Sequence, residues 1–165
     1  MGKIKKIEFG LAVLKKDYEV LKNKYKLPRF QQLNEDFEIE RVADRETDML
    51  LREIIKAITE KAVAFLRFLE LVLNPTNAPF FMFAILKNLS ANDKKLIEEI
   101  YEKLCEFEIK AISLDMEYKE KSEAGFISYS AKKWQSMHSE MKELGEIISK
   151  AWYASSDKKE RNYCG

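Results

Sequence analysis

Two carboxylates and one histidine are the side chains of this sequence best suited to hold a metal. Glu108 and Asp115 lie seven residues apart in a segment with helical periodicity, so they stack on one face of a helix. On a helical wheel they fall inside the apolar arc, and a buried carboxylate is costly unless it is paired or bound to a cation. His138 lies on the edge of the next apolar stripe. Because one histidine with two or three carboxylates can hold a divalent metal, Glu108, Asp115 and His138 form a candidate metal site, with Glu70 as a further ligand.

The alternative interpretation of the same residues is structural. Charged side chains are almost never fully buried unless they are paired. Glu108 and Asp115 would then flank the apolar stripe and pair with Lys, Arg or Tyr of a neighbouring helix. His138 would be a partly exposed packing residue, because no ligand spacing is defined around it.

The common catalytic motifs are absent from the sequence. With five glycines there is no G-x-G-x-x-G and no P-loop, and with one histidine there is no H-E-x-x-H and no pair of E-x-x-H motifs. There is no G-x-S-x-G motif, and Cys105 and Cys164 form no C-x-x-C. These absences favour a non-enzymatic protein without a cofactor, except for the possible divalent metal.

One segment, residues 79–86, is strongly apolar and aromatic. It reads Pro-Phe-Phe-Met-Phe-Ala-Ile-Leu and contains no charged residue. It can close one end of the core, or it can be a surface that binds a partner, since large apolar patches mark interaction sites. Insertion into a membrane surface is disfavoured, because Lys87 is the only cation beside it. The candidate interaction residues are Phe80, Phe81, Met82, Phe83 and Leu86.

Arg67 and Glu70 interrupt the most hydrophobic helix, residues 62–73. Their spacing of three residues predicts an ion pair on the wet face of that helix. An ion pair with another helix or subunit that fixes register is the alternative.

Charge is unevenly distributed along the chain. Residues 1–29 contain nine Lys/Arg and three acids, whereas residues 34–48 contain seven acids and two arginines. Solvated faces that partly neutralise one another are the simplest explanation. A nucleic-acid accessory role through Lys15, Lys16, Lys22 and Lys24 is the alternative, disfavoured by a net charge of only +1.

Hydrophobic spacing of three and four residues predicts an all-α protein. Four long helices are expected over residues 11–25, 44–73, 90–123 and 127–153, with a short apolar helix over 77–88. Gly125 is expected to end the third long helix, Ser90 to cap it and Asn77 to cap the short one. Short connections between long helices favour an up-and-down antiparallel bundle.

A chain of 165 residues suits one domain, so we expect a helical-bundle domain over 1–153 and a polar tail over 154–165. The longest uncharged apolar run is far too short to span a bilayer, and there is no signal-peptide pattern. The cysteine usage indicates a reducing compartment, hence the cytoplasm. We therefore expect a protein that associates with itself or with another protein. The metal-binding and nucleic-acid hypotheses are the alternatives.

Overall fold

The computed structural model describes the backbone of residues 2–44, 48–116 and 119–161, and the side chains of residues 10–43, 48–76, 78–116 and 119–155. Within these ranges it contains six α-helices and no β-strand, which confirms the prediction of an all-α protein. The helices are α1 (Gly2–Tyr25), α2 (Phe30–Phe37), α3 (Leu50–Leu73), α4 (Phe80–Leu86), α5 (Ala91–Asp115) and α6 (Glu120–Arg161). Short 3₁₀ segments span Ile39–Asp44 and Pro75–Asn77.

The chain divides into two compact units. The first comprises Met1–Ala62 and Phe107–Gln135, and the second comprises Val63–Glu106 and Ser136–Gly165. Helices α3, α5 and α6 each contribute to both units. The single-domain boundary at residue 153 stays a prediction, but α6 itself continues to Arg161, past the helix end that the sequence predicted.

The core of the first unit is built from six helical segments. Phe37 of α2 packs against Trp134 of α6 with ring centroids 5.0 Å apart, and Phe107 of α5 meets the same ring edge-on at 6.2 Å. Such aromatic pairs add to the stabilisation from buried area. The other large, fully buried side chains of this unit include Tyr18, Leu33, Ile39, Ile54, Ile58 and Ile127.

The turn after α1 is closed by the buried Tyr18. Its hydroxyl donates a hydrogen bond to the carbonyl oxygen of Pro28 at 2.7 Å. Lys26 adopts a left-handed conformation (φ 56°), and the amide of Leu27 donates to the carbonyl of Lys22. This pattern is a common way for a helix to end, and it directs the chain into α2.

The second unit has its own core on the other halves of α3, α5 and α6, with α4 added. The buried side chains are Leu66, Leu69, Val72, Met82, Ile85, Ile97, Ile100, Leu104, Met137, Leu144 and Ala151. Asn88 fastens the end of α4 to α6, since its side-chain amide donates to the carbonyl of Ala151 at 2.9 Å. Lys103 and Glu140 form an ion pair at 2.6 Å between α5 and α6.

Most of the predicted apolar stripes are buried as expected. On α5 the apolar residues at three- and four-residue spacing are buried at Ile97, Ile100, Leu104, Phe107 and Ala111. Leu114 of the same stripe is half-buried, and Tyr118, which continues the spacing in the sequence, lies outside the described residues. Ser90 caps α5 as predicted: its hydroxyl accepts from the amide of Asp93 at 3.1 Å, and its own amide donates to the Asp93 carboxylate at 2.8 Å. The two bonds form a capping box.

Two predicted helix boundaries next to α4 and α5 are wrong, and one helix was missed. Asn77 does not cap α4: it lies in the preceding 3₁₀ segment, and Pro79 occupies the N-cap. Gly125 does not end α5, because α5 ends at Asp115 and Gly125 lies inside α6. Helix α2 was not expected, although Phe30, Leu33 and Phe37 have helical spacing.

Helix α1 is continuous through Gly10, where a glycine would ordinarily weaken a helix. A Cβ at this position would lie 2.8 Å from the carbonyl oxygen of Ala43. The glycine therefore allows α1 and the segment Ile39–Asp44 to approach closely.

No helix among the described residues is both long enough and apolar enough to cross a membrane.

Candidate functional site

The predicted metal ligands are all exposed. Glu108 and His138 are on the surface, and the Asp115 side chain is 83% exposed. The expectation that the two carboxylates lie inside a buried apolar arc is therefore wrong. A helical wheel does not distinguish one wide arc from two stripes, and α5 has a second apolar stripe that faces solvent, formed by Ile109, Ile112 and Met116.

Metal binding by these residues stays a prediction. That prediction relied on buried carboxylates, and Glu108 and Asp115 are exposed. The side chains that the structure describes include no group of three or more His, Cys, Asp or Glu arranged to hold a metal ion. For Asp115 the alternative interpretation has support, because a carboxylate oxygen lies 4.0 Å from a guanidinium nitrogen of Arg52. That distance is at the outer limit of an ion pair.

A buried ion pair joins α3 to the start of α6. The Nε of Arg52 donates to the Glu123 carboxylate at 2.7 Å, and their side chains are only 19% and 9% exposed. Removing one partner of such a pair leaves an uncompensated buried charge. Sequence reasoning missed this pair, since its members are 71 residues apart and neither interrupts an apolar stripe conspicuously.

A small cavity adjoins this ion pair. It has a volume of about 120 Å³ and is lined by α3, the end of α5 and Glu123. The hydroxyl oxygen of Thr59, which lines it, is buried without a hydrogen-bond partner among the described atoms. The charged side chains around the cavity include both Arg52 and Glu123, which pair with each other, so the lining does not favour a ligand of one charge.

A second buried carboxylate, Asp36 of α2, was also not predicted from the sequence. Both of its oxygens accept from the side-chain amide of Gln135, at 2.9 and 2.7 Å. Asp36 is 7% exposed. Because a buried acid needs hydrogen bonds to offset its lost hydration, this contact fixes the position of α2 on α6.

Arg67 and Glu70 both lie on the exposed face of α3, as the sequence predicted. Among the described contacts, Glu70 accepts a hydrogen bond from the hydroxyl of Tyr101 at 3.2 Å, and no contact joins it to Arg67. The ion pair stays a prediction. Burial, together with neighbouring Cys105 and Glu70, raises the pKa of Tyr101 to about 12, so its hydroxyl stays protonated and able to donate.

The apolar segment at α4 divides between core and surface. Met82 is fully buried and Leu86 half-buried, so the expectation that Met82 is available to a partner is wrong. Phe80, Phe81 and Phe83 are 86%, 50% and 41% exposed. The period of the helix explains this division, since Met82 and Ile85 share the inward face.

Helix α6 adds a fourth ring to this surface. The ring of Trp152 meets that of Phe81 edge-on, with centroids 6.3 Å apart, and is 41% exposed. We call Phe80, Phe81, Phe83 and Trp152 the aromatic surface. Trp152 was not among the predicted interaction residues, because it lies 71 residues from Phe81 in the sequence.

Three of the basic residues of α1, Lys15, Lys22 and Lys24, have local partners. Lys22 pairs with Glu19 at 2.8 Å, Lys24 pairs with Glu120 at 2.9 Å, and Lys15 lies over the ring of Phe30. The hydrogen bonds from Tyr25 and Lys24, together with the Lys24 charge, lower the pKa of Glu120. These contacts fit the solvated-face interpretation, and nucleic-acid binding by α1 stays a prediction.

Among the described residues, exposed apolar side chains thus form the aromatic surface of the second unit and the outward stripe of α5 in the first. In both, large apolar side chains are exposed to water, which is unfavourable unless a partner covers them. Comparisons of the chain with protein-family models, curated proteins and solved structures find no match.

Proposed function

We propose that this protein acts by association rather than by catalysis, and that it forms a homodimer through the aromatic surface. The exposure of three phenylalanines on one short helix is the observation that carries the proposal. Contiguous apolar patches are uncommon on monomeric proteins unless they bind something. Aromatic residues are also enriched at the centres of protein interfaces.

Burial of these rings would contribute a substantial free energy. Fully burying one phenylalanine side chain is worth roughly 1.5–3 kcal/mol. Phe80 is 86% exposed, so nearly all of this contribution is still available to an interface. Trp152 is amphipathic as well as large, and tryptophan is common among the residues that dominate binding energy.

The absence of charge on α4 supports a second copy as the partner. Helix α4 contains no charged residue, and Lys87 follows at its C-cap. A two-fold dimer places the same patch of each chain against the other. Such a contact brings no row of like charges together here, so it avoids electrostatic repulsion.

The test is the molar mass of the wild-type chain and of a Phe80→Asp/Phe83→Asp variant, measured by light scattering during gel filtration. We expect twice the 19.4 kDa chain mass for the wild type and the monomer mass for the variant. The variant should remain folded, because both side chains are exposed. Circular dichroism checks this.

Ile109→Asp is the matched control, since Ile109 is an exposed apolar residue of the other unit. It should leave the dimer intact. A monomeric wild type would contradict the homodimer, and a dimer broken by Ile109→Asp but not by the phenylalanine variant would place the interface elsewhere. A monomer that binds a different protein through Phe80 would instead favour the subunit of a mixed assembly.

Two further features belong to this proposal. The up-and-down antiparallel order of the long helices is supported by the short connection between α5 and α6, from Met116 to Lys119. A cytoplasmic location is supported by Cys105, which is a free thiol.

A further inference from the structure

The second apolar stripe of α5 has the spacing of a helix–helix seam. Ile109, Ile112 and Met116 are 64%, 59% and 82% exposed. Their separations of three and four residues are those of the a and d positions in a coiled coil. Because a helix has 3.6 residues per turn, these positions lie opposite the inward residues Phe107 and Ala111.

The two edges of the stripe differ in charge. Glu108 and Asp115 follow one edge, seven residues apart, and both are exposed. Asp115 keeps its long contact of 4.0 Å with Arg52, but its side chain remains 83% exposed. The other edge carries Ser113 and Lys110, and the Lys110 ammonium lies over the ring of Tyr129 at 4.1 Å.

We propose that this face of α5 binds an amphipathic helix of a partner protein, with an apolar stripe and a row of Lys or Arg along one flank. The apolar stripe supplies the buried area, and the acidic row selects the flank and thereby the orientation. Charged residues beside an apolar seam set partner choice in this way. This surface shares no residue with the aromatic surface, and the proposal does not depend on the homodimer.

A second copy of this chain suits the stripe less well. Antiparallel pairing of two α5 helices would set the acidic row of one against the acidic row of the other. Parallel pairing would set Glu108 opposite Ser113. Neither orientation supplies a cation to Glu108 and Asp115, whereas a basic helix does.

A shallow groove beside the stripe gives the partner additional apolar contact. It lies between α5 and α6 and is lined by Lys110, Ser113, Leu114, Gly125, Phe126 and Tyr129. Gly125 leaves open space there, since a Cβ at this position would meet nothing within 4 Å. An apolar side chain on the uncharged flank of the partner helix can occupy this groove.

The test uses two fluorescent synthetic peptides of about three heptads, the length at which coiled-coil seams become recognisable. Both have leucine at the core positions, and they differ only in carrying lysine or glutamate along one flank. Fluorescence anisotropy measures their binding to the full chain. Two exposed ion pairs should make the lysine peptide bind about fivefold more tightly than the glutamate peptide.

Two variants of the chain separate the contribution of the apolar stripe from that of the acidic edge, and a third is a control. Ile112→Ser should weaken binding of both peptides about tenfold, because it removes buried apolar area. Glu108→Lys should abolish or invert the preference for the lysine peptide. Val20→Ser is the matched control: Val20 is 63% exposed on α1, outside the stripe, and its replacement should change neither affinity.

Several results would overturn the proposal. These are no binding of the lysine peptide, equal affinity for the two peptides, or binding that Ile112→Ser leaves unchanged. Loss of self-association in Ile112→Ser would assign this face to a second copy instead. The three peptide-binding outcomes leave self-association through Phe80 and Phe83 untouched, so failure of this proposal and failure of the homodimer are distinguishable.

Discussion

Tyr18 combines a large apolar ring with a polar group that must be satisfied inside the first unit. It has no exposed surface, and its hydroxyl donates to the Pro28 carbonyl at 2.7 Å. Burial, and to a lesser extent the charge of Glu19, raises the pKa of Tyr18 above its ordinary value. The folded protein therefore holds this phenol in its neutral form.

This pKa shift predicts a loss of stability in alkali. An exposed tyrosine in the unfolded chain ionises near pH 10, whereas Tyr18 in the folded chain retains its proton. Above about pH 10 the folded state therefore binds more protons than the unfolded state, and the free energy of unfolding falls as pH rises. Below about pH 10, Tyr18 makes its full contribution to the free energy of unfolding.

Tyr18→Phe should reduce that alkaline loss and lower stability at neutral pH by about 1 kcal/mol through the missing hydrogen bond. Urea unfolding at pH 8 and pH 11 measures both effects. Tyr153→Phe is the control, because Tyr153 is 64% exposed and should change neither. An alkaline loss in Tyr18→Phe as large as in the wild type would contradict the assignment.

At the scale of elements, Gly10 of α1 and Gly125 of α6 differ in how closely other parts of the chain pack against them. Gly10 faces the carbonyl of Ala43 so closely that a Cβ would clash, whereas nothing lies within 4 Å of a Cβ at Gly125. Both residues are inside helices. Intrinsic helix propensity therefore acts alone at Gly125, while tertiary packing dominates at Gly10.

Gly10→Ala should destabilise the chain by about 1–3 kcal/mol, because the helix and the backbone of the segment Ile39–Asp44 must separate. Gly125→Ala should stabilise it by roughly 0.5–1 kcal/mol, as expected for alanine in a helix interior. Chemical denaturation of the two variants beside the wild type measures the difference. If Gly125→Ala were destabilising, Gly125 would be acting as a helix stop, as the sequence alone suggested.

At the scale of the whole molecule, the net charge says little about which partners the protein binds, and the exposed apolar surface says more. The formal net charge is +1, so no strong overall field steers the chain toward nucleic acid or membranes. The part of the chain that the structure describes carries the aromatic surface, which is nearly free of charge, and the outward stripe of α5, which is bordered by acids. We expect the uncharged surface to bind its own copy and the acid-bordered surface to bind a basic helix.

A homodimer also makes stability depend on protein concentration. The midpoint of thermal unfolding should rise with concentration in the wild type, because association stabilises only the folded chains. Phe80→Asp should remove most of this dependence. Differential scanning calorimetry over a hundredfold range of concentration tests this, and a midpoint that does not change with wild-type concentration would argue for a monomer.

Local patterns in the sequence were sufficient to predict the helices and much of the core. The stripe through Ile97, Ile100 and Leu104 and the capping box of Ser90 depend on residues three or four apart. Such spacing follows from helix geometry, whatever the helix packs against. The aromatic segment at α4 was also recognisable, because its composition alone is unusual.

Tertiary structure decided which of these side chains are buried and which pairs meet. Glu108 is exposed because α5 packs through one of its two apolar stripes, and the sequence of α5 does not specify which stripe has a neighbour. Met82 is core and Phe80 is surface for the same reason.

The contacts of Arg52 with Glu123, Asp36 with Gln135 and Phe81 with Trp152 join residues 71 or more positions apart. Periodicity describes one helix at a time, so contacts between helices follow only from the way the elements pack.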